Sequence, residues 1–232
     1  MSFSPCQTPN DASRVCKRET QYGFTLIELL VVIAILGMLM TLIFPAMQGV
    51  MRRSESVRCL SNLRNIGAAI LFYQQDHRRL PGPINEGQLF RVSRAPGSNE
   101  AHLVYALHEY LGLPDYNPDL GEQEIPALRC PANRRLMGDQ GRVSYLANRR
   151  DPVPMGNVNL SSTDPNYRPR SLWDLAAPSS TWLVMDGDRG PAPISTSTMY
   201  PVEVTHETFR NVLFADGRVT AYDAALGRPP PP

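Results

Sequence analysis

Few residues in this chain are of a type and spacing that could do chemistry, and each also has an ordinary structural use. Glu28 stands inside the apolar run GFTLIELLVVIAILGMLMTLIFP, Gly23 to Pro45, where a carboxylate costs roughly 3 kcal/mol unless it reaches an interface or a cation. His206 precedes Asp216 by ten positions in THETFRNVLFADGRV, and a histidine and an aspartate can form an acid–base pair. No serine in a G-x-S-x-G setting accompanies them, and Asp216 with Gly217 is already accounted for as the turn between alternating segments 211–215 and 218–222. Catalysis is therefore not expected, and His206 is expected to bond the hairpin backbone or the sheet edge. His102 and His108 are six positions apart and do not share a helix face, which makes them surface or interface residues rather than metal ligands. Asp186 and Asp188 in DGDRG place two carboxylates two residues apart, without the spaced ligands and closing glutamate of a full calcium loop.

The elements that carry these residues follow from hydrophobic pattern. From Phe24 to Phe44 the chain has 21 residues with Glu28 as the one charge. At about 1.5 Å per residue a helix of that length spans roughly 30 Å, the thickness of a bilayer core. The run is longer than the apolar region of a secretory signal peptide and no small-residue cleavage site follows it, so it is expected to be retained. Lys17 and Arg18 just before it keep the N-terminus on the cytoplasmic side. Beyond Pro45 the pattern turns amphipathic. Met47, Val50, Val57, Leu63, Ile66 and Ile70 recur every three or four residues with arginines mostly on other faces, and Pro81 and Gly82 stop the helix near residue 80. Residues 100–113 have helical spacing with Leu103, Leu107 and Leu111 on one side. Residues 141–148 and 181–188 read as strands, and the segments around Asp216 and Gly217 as a hairpin.

The string GFTLIELLVVIAILGMLMTLIFP resembles the N-terminal signal of type IV prepilins and of the pseudopilins of type II secretion. The resemblance implies cleavage by a prepilin peptidase between Gly23 and Phe24 and methylation of the new terminus at Phe24. Glu28, fifth in the cleaved chain, would then pair with the terminal amine of a neighbouring subunit, and Pro45 stands where pilins often carry a helix-kinking proline. RCLSNLRNIGAAILFYQQDHRRLP and the H-x9-D-G spacing of His206, Asp216 and Gly217 are similar to segments of pilin-like proteins of planctomycetes, verrucomicrobia and their relatives. Some major pseudopilins hold calcium in a C-terminal loop, so a calcium ion at Asp186 and Asp188 is the weaker reading beside a plain polar turn. No other cofactor is implied. Removal of a leader would take Cys6 and Cys16 with it and leave Cys59 and Cys130 on the oxidising side, either bridged or as two buried thiols. A bridge would close a loop of about 70 residues, worth on the order of 4 kcal/mol at most. No C-x-x-C or paired-histidine spacing suggests a metal there.

The implied organisation is a leader at 1–23, a long helix at 24–80 with a transmembrane segment at 24–44, and an extracytoplasmic α+β head at 81–232. The fold expected is the type IV pilin-like one, a long helix packed on a small antiparallel sheet. Of the chain's 22 prolines, 15 lie in its second half, which should be rich in loops. A net charge of +1 with no long basic run disfavours nucleic acid as a partner. The implied function is a structural subunit of a type IV pilus-like filament or secretion pseudopilus. Its partners would be prepilin peptidase, copies of itself or other pilin-like subunits, the inner-membrane assembly machinery and lipid. It would sit in the inner membrane with a periplasmic head before entering the filament. The alternative is a non-polymerising, membrane-anchored envelope protein whose outer domain binds a ligand.

Overall fold

The computed structural model describes residues 24–92, 101–113, 117, 119, 121–150, 153–190 and 198–229, with only the backbone of Pro45, Ala46 and Gln140. The expected leader, including Gly23, Cys6 and Cys16, lies outside the described residues. The chain divides into two compact units, Met1–Met47 and Gln48–Pro232. One helix, α1 (Leu26–His77), begins in the first and ends in the second. It is unbroken through Pro45, although proline withholds an N–H from the helix ladder. In the first unit every residue of the segment Leu26–Phe44 is exposed, so the stretch is apolar on all sides with nothing buried.

In the second unit the helix becomes one-sided. Cys59, Leu63, Ile66, Ala69 and Ile70 are buried, while Arg52, Arg53, Arg58 and Arg64 face out. Met47, Val50 and Val57, which the spacing assigned to the same stripe, are instead exposed. The inward face therefore starts only at Cys59. Arg78, with φ +58°, ends the helix in the left-handed conformation common after a last turn, its N–H donating to the Gln74 carbonyl at 2.9 Å.

The helix packs on a five-stranded antiparallel sheet. Its strands are β1 (Gly87–Leu89), β4 (Val143–Ala147), β5 (Trp182–Asp186), β6 (Phe209–Phe214) and β7 (Val219–Asp223), in the order β1-β4-β5-β6-β7. A two-stranded ribbon of β2 (Arg91–Val92) and β3 (Gln123–Glu124) lies apart from it. The architecture is α+β and pilin-like, as the pattern implied. β4 and β5 fall in the expected stretches and are buried on both faces. On the helix side Tyr145, Ala147, Val184 and Leu213 join the α1 residues in one core. On the other side Leu146, Met185 and Val212 pack with Trp182 and Tyr200. A register shift between Trp182 and Val184 lets the consecutive residues Leu183 and Val184 both enter the helix-side core.

The hairpin forms where Asp-Gly placed it, with a longer loop than a two-residue turn. Gly217 N–H donates to the Phe214 carbonyl at 3.0 Å and Phe214 N–H to the Arg218 carbonyl at 2.9 Å. Gly217 takes φ +84°, a left-handed conformation that suits glycine at the bulge ending such a turn. The helix expected over 100–113 shrinks to one turn, α2 (Leu103–Ala106), followed by irregular turns. Its first N–H is taken by the buried Gln88 side chain of β1 at 2.7 Å, which fixes where the turn begins. His102 and His108 are both buried, contrary to the surface reading, alongside Leu103 and Leu107, which turn into the core.

Two consequences are measurable. A Cβ on Gly67 of α1 would come within 2.8 Å of a Leu213 methyl group, so the missing side chain sets how closely the helix approaches β6. Gly67→Val should lower unfolding stability by about 1–3 kcal/mol in a urea titration followed by tryptophan fluorescence. Burial holds the His102 pKa below its ordinary value. As pH falls below about 6.5 the unfolded chain takes up a proton that folded His102 resists, so stability is lost toward acid. The drop in melting temperature between about pH 7.5 and 5.5 should be smaller in His102→Gln than in the wild type.

Candidate functional site

In the first unit, Thr25 and Glu28 satisfy each other across the opening turn of α1. The Thr25 N–H and hydroxyl both donate to Glu28 Oε2 at 2.8 Å, and the Glu28 N–H reaches Thr25 Oγ1 at 3.3 Å. This reciprocal capping box follows from the T-x-x-E spacing and gives the carboxylate a local partner. Phe24, just before it, is exposed.

The second unit holds a buried polar cluster. Cys59 of α1 and Cys130, which precedes helix α3 (Pro131–Met137), form a disulfide with Cα atoms 4.9 Å apart, closing a separation of 71 residues. Next to it lies His206, with Nε2 3.7 Å from Cys130 Sγ and 3.1 Å from Asp186 Oδ2, and its ring stacked on Phe209 at 5.3 Å. Asp186 Oδ2 also accepts the Asn211 N–H at 2.8 Å and Asn211 Nδ2 at 2.9 Å. An ionised carboxylate only accepts, so Nε2 of the imidazole carries a proton in this contact. Asp186 Oδ1 is buried and has no hydrogen-bond partner among the described residues. Tyr145, the register partner of Asp186 on β4, is wholly buried; burial first and the Asp186 charge second push its phenol pKa far up, so it stays neutral.

The side-chain partner of His206 is thus Asp186 at the end of β5, while its backbone bridges to Phe209 at the start of β6, the first strand of the hairpin. Asp216 is exposed and serves the turn, accepting the Arg218 N–H at 3.0 Å. The H-x9-D-G residues divide between two jobs: His206 in a buried cluster, Asp216 and Gly217 in a loop. Asp188 takes neither partner. Its oxygens receive Arg210 Nε at 3.0 and 3.2 Å and Nη2 at 2.6 Å, together with the N–H groups of Gly190 and Thr205, all buried. The Arg210 guanidinium thus engages both Asp188 oxygens.

Sequence reading missed Asp186 as the histidine's partner and missed Arg210 altogether. The available signals were a charge ending an otherwise apolar strand and an arginine within one. Neither says which residue across the sheet will answer it.

Comparison with known proteins reaches up to 62% of the chain among the relatives given below. Residues 19–44 match the family model of the prokaryotic N-terminal methylation motif. A type II secretion system core protein G of Klebsiella pneumoniae is 36% identical over 146 residues, covering 62% of this chain and 95% of that protein. The protein of the same name from Klebsiella michiganensis is 25% identical over 150 residues, covering 62% of this chain and 98% of its own length. The one from Aeromonas hydrophila is 34% identical over 65 residues, 28% of this chain and 46% of that protein. No solved structure matches the chain.

Removing Arg210 would leave Asp188 as an uncompensated buried charge. Arg210→Ala should cost about 3–5 kcal/mol of unfolding free energy, far more than removal of the exposed Arg218, as read by denaturant titration of both variants.

Proposed function

The chain belongs to the family of type II secretion system core protein G, and from that membership we infer that it is a structural subunit of a pilus-like filament or secretion pseudopilus. The observation that carries this reading is the segment Leu26–Phe44, apolar on every side and exposed along its whole length. Such a surface demands a cover. Lipid supplies it first, and the same segments of other pilin-like subunits supply it in the filament. Exchange between the two costs little apolar transfer energy, since acyl chains and aliphatic side chains offer similar surroundings and packing decides the outcome.

Glu28 gives the exchange direction. In a single subunit its carboxylate is held by Thr25. Within a dry bundle of helices the pair of greatest worth is carboxylate with ammonium, and the amine at Phe24 of a neighbouring subunit provides one once the leader 1–23 is removed by prepilin peptidase. Attraction at low dielectric, and the cost of leaving either charge alone, would set the stagger between subunits. The N-terminus then lies on the cytoplasmic side, helix 24–80 carries the transmembrane segment 24–44, and the head 81–232 lies outside. A disulfide suits that oxidising location. Inner-membrane assembly machinery would draw subunits from the bilayer. The role needs no catalytic group.

The test is expression of the wild type and Glu28→Ala beside a filament assembly system, with intact mass and filament yield measured. Both chains should begin at N-methylated Phe24 and fractionate with membranes, and only the wild type should enter sheared filaments. A chain retaining residues 1–23, or filaments unaffected by Glu28→Ala, would overturn the reading.

A further inference from the structure

We propose that the reduced form of this chain binds one zinc ion through Cys59 Sγ, Cys130 Sγ, His206 Nε2 and an Asp186 carboxylate oxygen, making disulfide and metal two alternative closures of one buried clasp. The inference concerns the head and stands independently of the filament's identity. These four ligand atoms all lie within 4.8 Å of one another, and all four residues are buried. They come from four places in the chain: α1, the residue before α3, the loop before β6, and the end of β5. No sequence spacing announces such a set.

The donor chemistry selects the metal. Two thiolates, an imidazole and a carboxylate form a mixed set typical of zinc; calcium and magnesium prefer oxygen ligands throughout. Zinc bonds of about 2.3 Å to sulfur and 2.0–2.1 Å to nitrogen and oxygen put tetrahedral neighbours roughly 3.3–3.8 Å apart. The Cys130 Sγ to His206 Nε2 distance of 3.7 Å falls in that range already, and the His206 to Asp186 distance of 3.1 Å is slightly shorter. What must change is the separation of the two sulfurs, by side-chain rotation after reduction. Asp186 is held for the task by both Asn211 donors on Oδ2, the kind of outer support that fixes a ligating carboxylate. Its Oδ1 is the buried acceptor without a partner, an atom that a cation would satisfy. Entry is from a groove of about 360 Å³ that His206 and Phe209 line together with Arg52, Glu55, Val57 and Arg135.

The balance is simple. An external dithiol gives two electrons and two protons to the disulfide and becomes a disulfide itself. Zinc then displaces the two thiol protons to solvent, and the imidazole turns its Nε2 lone pair to the metal with the ring proton on Nδ1. No electron moves at the zinc. In either state Cys59 stays tied to Cys130, so α1 remains stapled to the head under oxidising and reducing conditions alike.

The test uses the full chain in detergent, stripped with chelator, either oxidised or reduced with a phosphine under nitrogen. Zinc is titrated against a chromophoric competitor, and cobalt is added separately to read thiolate-to-metal charge transfer. One ion per reduced chain, none per oxidised chain, and a loss of affinity of about 100-fold or more in His206→Gln and in Cys59→Ser are expected, as for loss of a direct ligand. The melting temperature of the reduced chain should rise with zinc, because an ion bound only by the folded state shifts the equilibrium. A reduced chain without zinc binding, affinity unchanged in His206→Gln and Asp186→Asn, or a melting temperature indifferent to zinc would overturn the proposal. The last two outcomes also expose adventitious binding by thiols of an unfolded chain.

Discussion

A single helix that must serve two surroundings is the constraint on which everything else in this protein depends. From Leu26 to Phe44 it presents apolar side chains in every direction, and from Cys59 onward it presents them on one face only. The first part is stable where no water reaches it, because the helix satisfies its own backbone and Glu28 is its one charge. The second part needs a sheet beneath it. Between the two lie Met47, Val50 and Val57, apolar yet exposed, next to outward arginines. That zone belongs neither to the head's core nor to the apolar segment.

The head answers with contact and with covalent closure. Gly67 lets α1 approach β6 within reach of the Leu213 methyl groups, and Cys59 bonds to Cys130 less than three turns earlier on the same face. Around the disulfide the protein buries groups that ordinarily stay wet: His206, Asp186, Asn211, Asp188 and Arg210. Burying charges is seldom a net gain over a well-packed apolar core, and loss of one partner is costly. Such a network is better understood as fixing a unique arrangement. Arg210 ties Asp188 to the carbonyls of Ala224 and Gly227, so the end of β5, the body of β6 and the segment after β7 are fastened at one point.

Much of the fold was legible because local pattern and tertiary role coincide in it. The long helix from Cys59 onward buries residues every three or four positions, β4 and β5 are short apolar runs buried on both faces, and the hairpin is announced by its Asp-Gly turn. Legibility failed where the core recruits residues regardless of period. The segment 100–113 has helical spacing, yet it forms one turn that begins where Gln88 takes the Leu103 N–H, and its histidines go inside. The short strands β1, β2 and β3 have two or three residues each, too few for an alternating signal.

The sequence by itself determined the apolar N-terminal segment with its one carboxylate, the long helix that continues it and the hairpin near the C-terminus. Each is written in residues a few positions apart, where backbone geometry alone fixes who meets whom. Only the tertiary structure decided that His206 answers Asp186 and not Asp216, that Arg210 occupies Asp188, and that two cysteines 71 residues apart meet beside His206. Those meetings depend on how β5 and β6 pair beneath α1. A buried polar group takes whatever partner the packing brings to it, because leaving it unpaired costs more than any local preference.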